Sequence, residues 1–195
     1  MKILLYTLAT LGLLFLILLM YTIVKFEPAY HALKKFDENA IATYSKMVST
    51  LIETGNAADA TVWKVQVDAG LTAEDVEDAM KSIAAEHNIK NVGELPLYQQ
   101  ITAMTGKKFR YMKIYMYCNP LTAAKMVDYS DAFSAYLPCR ITLLEDKQGH
   151  LWIYSLNMDM MIYGGTPLPA ELKKEALRVK TIIQDIMKRG ASGEF

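Results

Sequence analysis

Cysteine is scarce in this chain. Its 195 residues hold two, too few for the multiply bridged scaffold of small secreted domains, although a single bridge stays possible. Charge of one sign is not in excess either. Lys and Arg total 21 against 21 Asp and Glu, so no basic surplus points to nucleic acid as a partner. Familiar catalytic signatures are missing: there is no Gly-rich phosphate loop, no CxxC, no HExxH and no GxSxG. No internal repeat or low-complexity tract interrupts the chain. Methionine and tyrosine are plentiful, twelve of each.

The longest absence is of charge near the N-terminus. The 22 residues 3–24 carry none and are bounded by Lys2 and Lys25. As a helix rising about 1.5 Å per residue they span roughly 33 Å, enough for a hydrocarbon core of about 30 Å. Tyr6 and Tyr21 stand near the two ends, where aromatic rings favour the headgroup region. A cleaved signal peptide is the rival reading, but its apolar stretch is about 7–15 residues and ends at a small-x-small site. The run here is longer, and VKFEPAYHA offers no convincing site; no Cys comes after it, which excludes a lipoprotein. Contact with membrane lipid through residues 3–24 is expected. Orientation can be argued two ways. Lys25, Lys34 and Lys35 outnumber Lys2, which by the positive-inside count favours a cytoplasmic domain. An N-terminal apolar segment in bacteria usually exports the domain attached to it, and on that ground a signal anchor in the inner membrane with a periplasmic domain is adopted.

Hydrophobic periodicity divides the chain into an anchor (1–26), a juxtamembrane amphipathic helix (27–56), an α+β domain (57–190) and a tail (191–195). Pro28 suits the opening of the second helix and Gly55 its end. Leu33, Phe36, Ala40, Tyr44, Met47 and Leu51 form one apolar stripe, which packs on its own domain or docks on a membrane partner. Trp63, Val65 and Val67 alternate with Lys64 and Gln66 in a strand over 61–67. Thr72 suits a helix cap, and Val76, Ala79, Met80 and Ile83 form that helix's buried face. A short helix over 96–104, a strand over 110–118 and a helix over 121–128 come next. Residues 140–145 and 150–156 flank Asp146-Lys147-Gln148-Gly149 as a hairpin. The last helix begins near Pro169, turns Leu172, Ala176, Val179, Ile183 and Ile186 inward, and is expected to stop at Gly190. This order favours an antiparallel sheet with helices on one face.

Two stretches, YCNPLTAAKM and AYLPCRITLLEDKQGHLWIYSL, carry Cys118-Asn119-Pro120 before a helix and Leu137-Pro138-Cys139 before the hairpin. In that order they resemble the bacterial family known as domain of unknown function 302, from about Thr61 to Arg189. The resemblance implies an α+β fold of TATA-binding-protein-like topology, often associated as dimers, and implies no activity. The anchor, the second helix and the insert GELPLYQQITAMTGKKF would make this a longer variant.

Cys118 ends one strand and Cys139 begins another. Three readings are open: a structural disulfide, a redox or metal-binding thiol pair, or separate buried cysteines acting as small hydrophobes. Met116 shares strand parity with Cys118, and Met158 with Met160; thioethers beside thiols would select copper(I). Asn119, Pro120 and Pro138 support the motif. Tyr111, Tyr115 and Tyr117 share a face with Lys113 and either pack the sheet or stack a planar ligand. Asp75, Glu77 and Asp78 read as a solvated helix face, His31 and His87 as isolated, and His150, near the hairpin turn, as solvent-exposed. The expected function is a non-catalytic binding or accessory module, a subunit of a membrane complex or a homo-oligomer. A thiol redox or copper protein, and an enzyme with scattered site residues, are the alternatives.

Overall fold

The computed structural model describes residues 2–194. Helix α1, Lys2–Leu33, is long and apolar enough to cross a membrane, and the rest of the chain buries none of its residues. The three threonines of its apolar stretch are satisfied within the helix. Thr7, Thr10 and Thr22 donate their hydroxyls to carbonyls three and four residues back.

Pro28 does not open a new helix, contrary to the sequence expectation; it sits inside α1. The break comes instead at 34–39, before α2, Ala40–Thr54. Tertiary pairing decides the position. The Asp37 carboxylate is buried and takes Lys173 Nζ at 2.5 Å, while the Asp37 N–H donates to Gly165 O at 2.8 Å. Burial alone would raise the Asp37 pKa, but the Lys173 ammonium and the Asn39 N–H outweigh it and hold the carboxyl below its usual range. Tyr44 adds a hydrogen bond from its hydroxyl to Gly164 O at 2.6 Å. The expected apolar stripe is only partly used: Ala40 is buried, Phe36, Tyr44 and Met47 are half-buried, and Leu33 and Leu51 are exposed. Leu33 drops out because the turn breaks the helical phase. Gly55 ends α2 in the left-handed region at φ 65°, as its position suggested.

Short helix α3, Ala57–Thr61, leads into β1, Val62–Gln66, and then α4, Ala73–Glu86, opens on a capping box between Thr72 and Asp75. The chain continues through β2 (Lys90–Leu95), α5 (Leu97–Thr105), β3 (Met112–Cys118) and α6 (Pro120–Tyr129). A 3₁₀ turn at Asp131–Tyr136 precedes the hairpin β4 (Cys139–Glu145) and β5 (Leu151–Leu156), and α7 (Asp159–Tyr163) and α8 (Ala170–Ser192) close the chain. The five strands form one sheet in the order β1-β5-β4-β3-β2, with every neighbouring pair antiparallel.

Strand alternation sorts the two sheet faces. Tyr115, Tyr117, Ile141, Leu143 and Ile153 are fully buried under α4 and α8, whereas Ile114, Thr142, Leu144, Trp152 and Tyr154 are only partly covered. The two helices pack on each other as well as on the sheet, with Met80 and Ile83 meeting Ile183, Ile186 and Met187 in one core. Gly190 does not end α8, as expected from sequence; the helix continues to Ser192, and Gly193 caps it. Gly190 serves close approach instead, since a Cβ there would lie 2.5 Å from Met80 Cγ. Strand β2 was not expected. Lys90-Asn91-Val92-Gly93-Glu94-Leu95 has two apolar side chains, and its pairing with β3 shifts register between Asn91 and Gly93.

Candidate functional site

Three features concentrate chemistry. The first lies where the two cysteine motifs meet. Asn119 caps α6 by accepting the N–H groups of Leu121 and Thr122 at 3.1 and 3.2 Å, and Pro120 fills the first helical turn, so the Cys-Asn-Pro segment is a strand-to-helix corner. The Leu137–Pro138 peptide is cis. Tyr117 and Cys139 are direct partners in the β3–β4 register, which sets Cys118 and Cys139 at the same sheet end.

Both cysteines are free thiols, and both border one small apolar cavity of about 40 Å³. Met126 from α6, Met158 and Met161 line it too, so five sulfur-bearing side chains surround one space. Burial pushes the Cys139 thiol up to about 11, with the neighbouring Cys118 adding to the shift; burial also raises Cys118. At neutral pH both stay protonated, which makes them poor nucleophiles. Met158 borders the same cavity as the thiols, from the cap of α7 and not from a strand, whereas Met116 and Met160 do not border it. Met116 packs against Gly93, where a Cβ would meet its Cε at 2.7 Å. Met160 is exposed, because residues 159–163 form helix α7, in which i and i+2 point apart. Among the described residues no group of three or more His, Cys, Asp or Glu is arranged to hold a metal.

The second feature is a charged network under the sheet. Glu77 Oε1 accepts from Lys81 at 2.5 Å and from Lys113 at 2.6 Å, and its Oε2 accepts from the Tyr115 hydroxyl at 3.0 Å. Glu94 takes Lys113 at 2.6 Å and Lys81 at 3.3 Å. Burial opposes ionisation of Glu77, yet the two lysines and Tyr115 overcome it and pull its pKa down to about 2. Glu77 therefore turns inward and is not part of a solvated face; Asp75 is spent on the α4 cap. The expected tyrosine row is also resolved. Tyr115 and Tyr117 are fully buried core side chains, and the partly buried Tyr111 stacks on Tyr98 at 4.7 Å between centroids. The Tyr117 hydroxyl is buried without a hydrogen-bond partner among the described residues. His87 is not isolated; its Nε2 lies 2.6 Å from Asp185 and pins α4 to α8.

The third feature is a groove of about 530 Å³ that sequence reasoning missed. One wall is α2, whose Thr43, Lys46, Met47 and Thr50 recur at helical spacing; the opposite wall is Thr61 at the end of α3 and β1 from Val62 to Val65, and α8 contributes Met187 and Lys188. Asp59 and Asp159 also line it, each held by a lysine, Lys64 at 3.8 Å and Lys180 respectively. Lys180 additionally lies 5.8 Å from the Trp63 ring centroid. Tyr136 belongs to the walls of both the groove and the sulfur-lined cavity.

The family described as "Domain of unknown function DUF302" matches residues 63–190. A solved structure, that of an uncharacterised conserved DUF302 protein from Bacillus stearothermophilus, superposes with a TM-score of 0.53 at 16% identity, covering 66% of this chain and 97% of that one. None of the curated proteins matches the chain. The α1–α2 segment and α3 precede the matched region, so the groove is built between the shared fold and the segment before it.

Proposed function

The chain belongs to the DUF302 family, and on that footing we propose that it is a membrane-tethered, non-catalytic binding module: a longer variant that serves as an accessory subunit or partner in a bacterial inner-membrane complex, with its domain on the periplasmic side. The supporting observation is the continuity of α1 with the domain. A helix with no buried residue ends at Leu33, and the buried Asp37–Lys173 pair follows directly in the next turn, which favours a fixed strut over a loose linker. Such a joint holds the groove at a set place relative to the bilayer. Native purification from membranes in mild detergent should recover a second protein, or further copies of this chain, in near-stoichiometric amount. Recovery of a monomer with no bound partner contradicts the reading.

A second reading rests on the sulfur-lined cavity. Cys118 and Cys139 with Met126, Met158 and Met161 offer soft donors only, which suit copper(I). One cuprous ion that displaces one thiol proton leaves a neutral complex, the charge state an apolar cavity tolerates. Anaerobic titration against a cuprous chelator should show one ion bound per chain. Cys139→Ser should weaken binding at least a hundredfold, while Met116→Leu and Met160→Leu leave it unchanged. Equal affinity in the wild type and Cys139→Ser would remove copper from consideration.

A further inference from the structure

The groove has a wall unlike an ordinary pocket wall. Strand β1 is at the edge of the sheet and pairs only with β5, so the N–H and C=O groups on its other side have no strand partner. Four consecutive β1 residues, Val62–Val65, border the groove, so it follows the strand itself and not only the alternate residues of one face. Helix α2 stands across from this edge, connected through α3, and leaves the space between open. An uncovered edge is a template for another strand unless it is blocked.

Charge narrows the occupant. Lys46 on α2 and Lys188 on α8 both line the groove, and neither lies within ion-pair distance of a carboxylate among the described residues. The carboxylates that do line it, Asp59 and Asp159, already have lysine partners. The lining also includes the partly exposed apolar side chains of Met47, Trp63 and Leu156.

We propose that this groove binds an extended peptide segment of a partner protein, added as a sixth strand along β1, with acidic side chains directed to Lys46 and Lys188 and apolar ones to Met47, Trp63 and Leu156. Backbone hydrogen bonds to β1 supply the register, and side chains of alternating character match the walls. Five residues of edge at about 3.3 Å each accommodate a segment roughly 17 Å long. The volume falls in the range of about 300–1,000 Å³ that encloses a ligand of this size. The proposal deepens the reading of the chain as a binding module by naming what it binds.

The test uses the full chain in phosphatidylcholine nanodiscs and a fluorescein-labelled hexapeptide of alternating Glu and Val, monitored by anisotropy. Saturable binding of one peptide per chain is expected. A peptide of the same sequence N-methylated at alternate residues cannot donate those backbone hydrogen bonds and should bind at least tenfold more weakly. The double variant Lys46→Glu/Lys188→Glu should lose at least tenfold as well, and a Lys/Val peptide should not bind the wild type. Both lysines are exposed, so the variant keeps its fold, which its far-ultraviolet circular dichroism verifies. Undiminished binding of the N-methylated peptide, or of the parent peptide to the double variant, overturns the proposal. So does an absence of binding to the wild type. Association of the chain with the nanodisc is read separately by co-elution. Failure to bind peptide while co-eluting sinks this inference alone; peptide binding by a chain that does not co-elute sinks the tether alone.

Discussion

Exchange of Glu77 for leucine should lower the stability of the domain by about 2–4 kcal/mol at pH 7, the cost of leaving a largely buried charge short of its partner. Lys113, only 15% exposed in its side chain, would keep Glu94 at 2.6 Å but lose Glu77 at the same distance, and the Tyr115 hydroxyl would lose its acceptor. Desolvation of both partners makes the loss larger than for a surface pair, for which about 0–1 kcal/mol is usual. Glu74→Ala, on the exposed first turn of α4, should stay within about 0.5 kcal/mol of the wild type. Urea unfolding of the full chain in mild detergent, monitored by Trp63 and Trp152 fluorescence, measures both. The same carboxylate makes stability depend on pH. The folded Glu77 pKa of about 2 lies below its ordinary 4.5, so its contribution is complete above about pH 4.5 and is lost as the pH falls toward 2. Stability of Glu77→Gln should therefore decline less steeply than the wild type over that interval. Parallel acid profiles for the two proteins would show that the carboxylate is not held as described.

That network shows where sequence reading stops. Glu77 sits two residues from Asp75 and beside Asp78, and a helical run of acids reads as solvated unless a cation from elsewhere is known to reach it. The cation is Lys113, on a strand that pairs with β2, and β2 itself left little trace in the hydrophobic pattern. By contrast, the α4 face through Val76, Ala79, Met80 and Ile83 was legible because all four obey a 3.6-residue period and all four are buried. The β4–β5 hairpin was legible for the same kind of reason: alternation on both sides of a turn that ends in Gly149 at φ 87°.

The sulfur-lined cavity was half legible. Two linked motifs pointed to Cys118 and Cys139, while Met158 was singled out by a strand parity that its place at the cap of α7 does not have. Met126 and Met161 were missed, since they arrive on helices whose docking no local pattern specifies. Met160 was assigned by a period of two in a segment whose real period is 3.6. The groove was not legible at all. It exists because Asp37 finds Lys173 and Tyr44 finds Gly164, contacts spanning 136 and 120 residues of sequence. No spacing rule reaches that far.

The largest effect expected of any change in this chain is removal of residues 2–24. Every large apolar residue in this stretch is exposed to its surroundings, from Ile3 to Val24, and water is a poor solvent for such a surface. A helix that satisfies its own backbone and its three threonine hydroxyls meets the requirement for a hydrocarbon environment. The truncated protein should move wholly from the membrane to the soluble fraction while the domain, whose core draws nothing from α1, stays folded. In spheroplasts, added protease should digest the domain of the full-length chain, as the proposed periplasmic placement requires; a protected domain would overturn that placement. The most direct measurement is extraction of native membranes with alkaline carbonate, with the mass of the retained chain determined intact. Retention in the pellet of a chain that still begins before residue 3 is the expected result. A chain released into the supernatant, or one that starts after residue 24, contradicts the account.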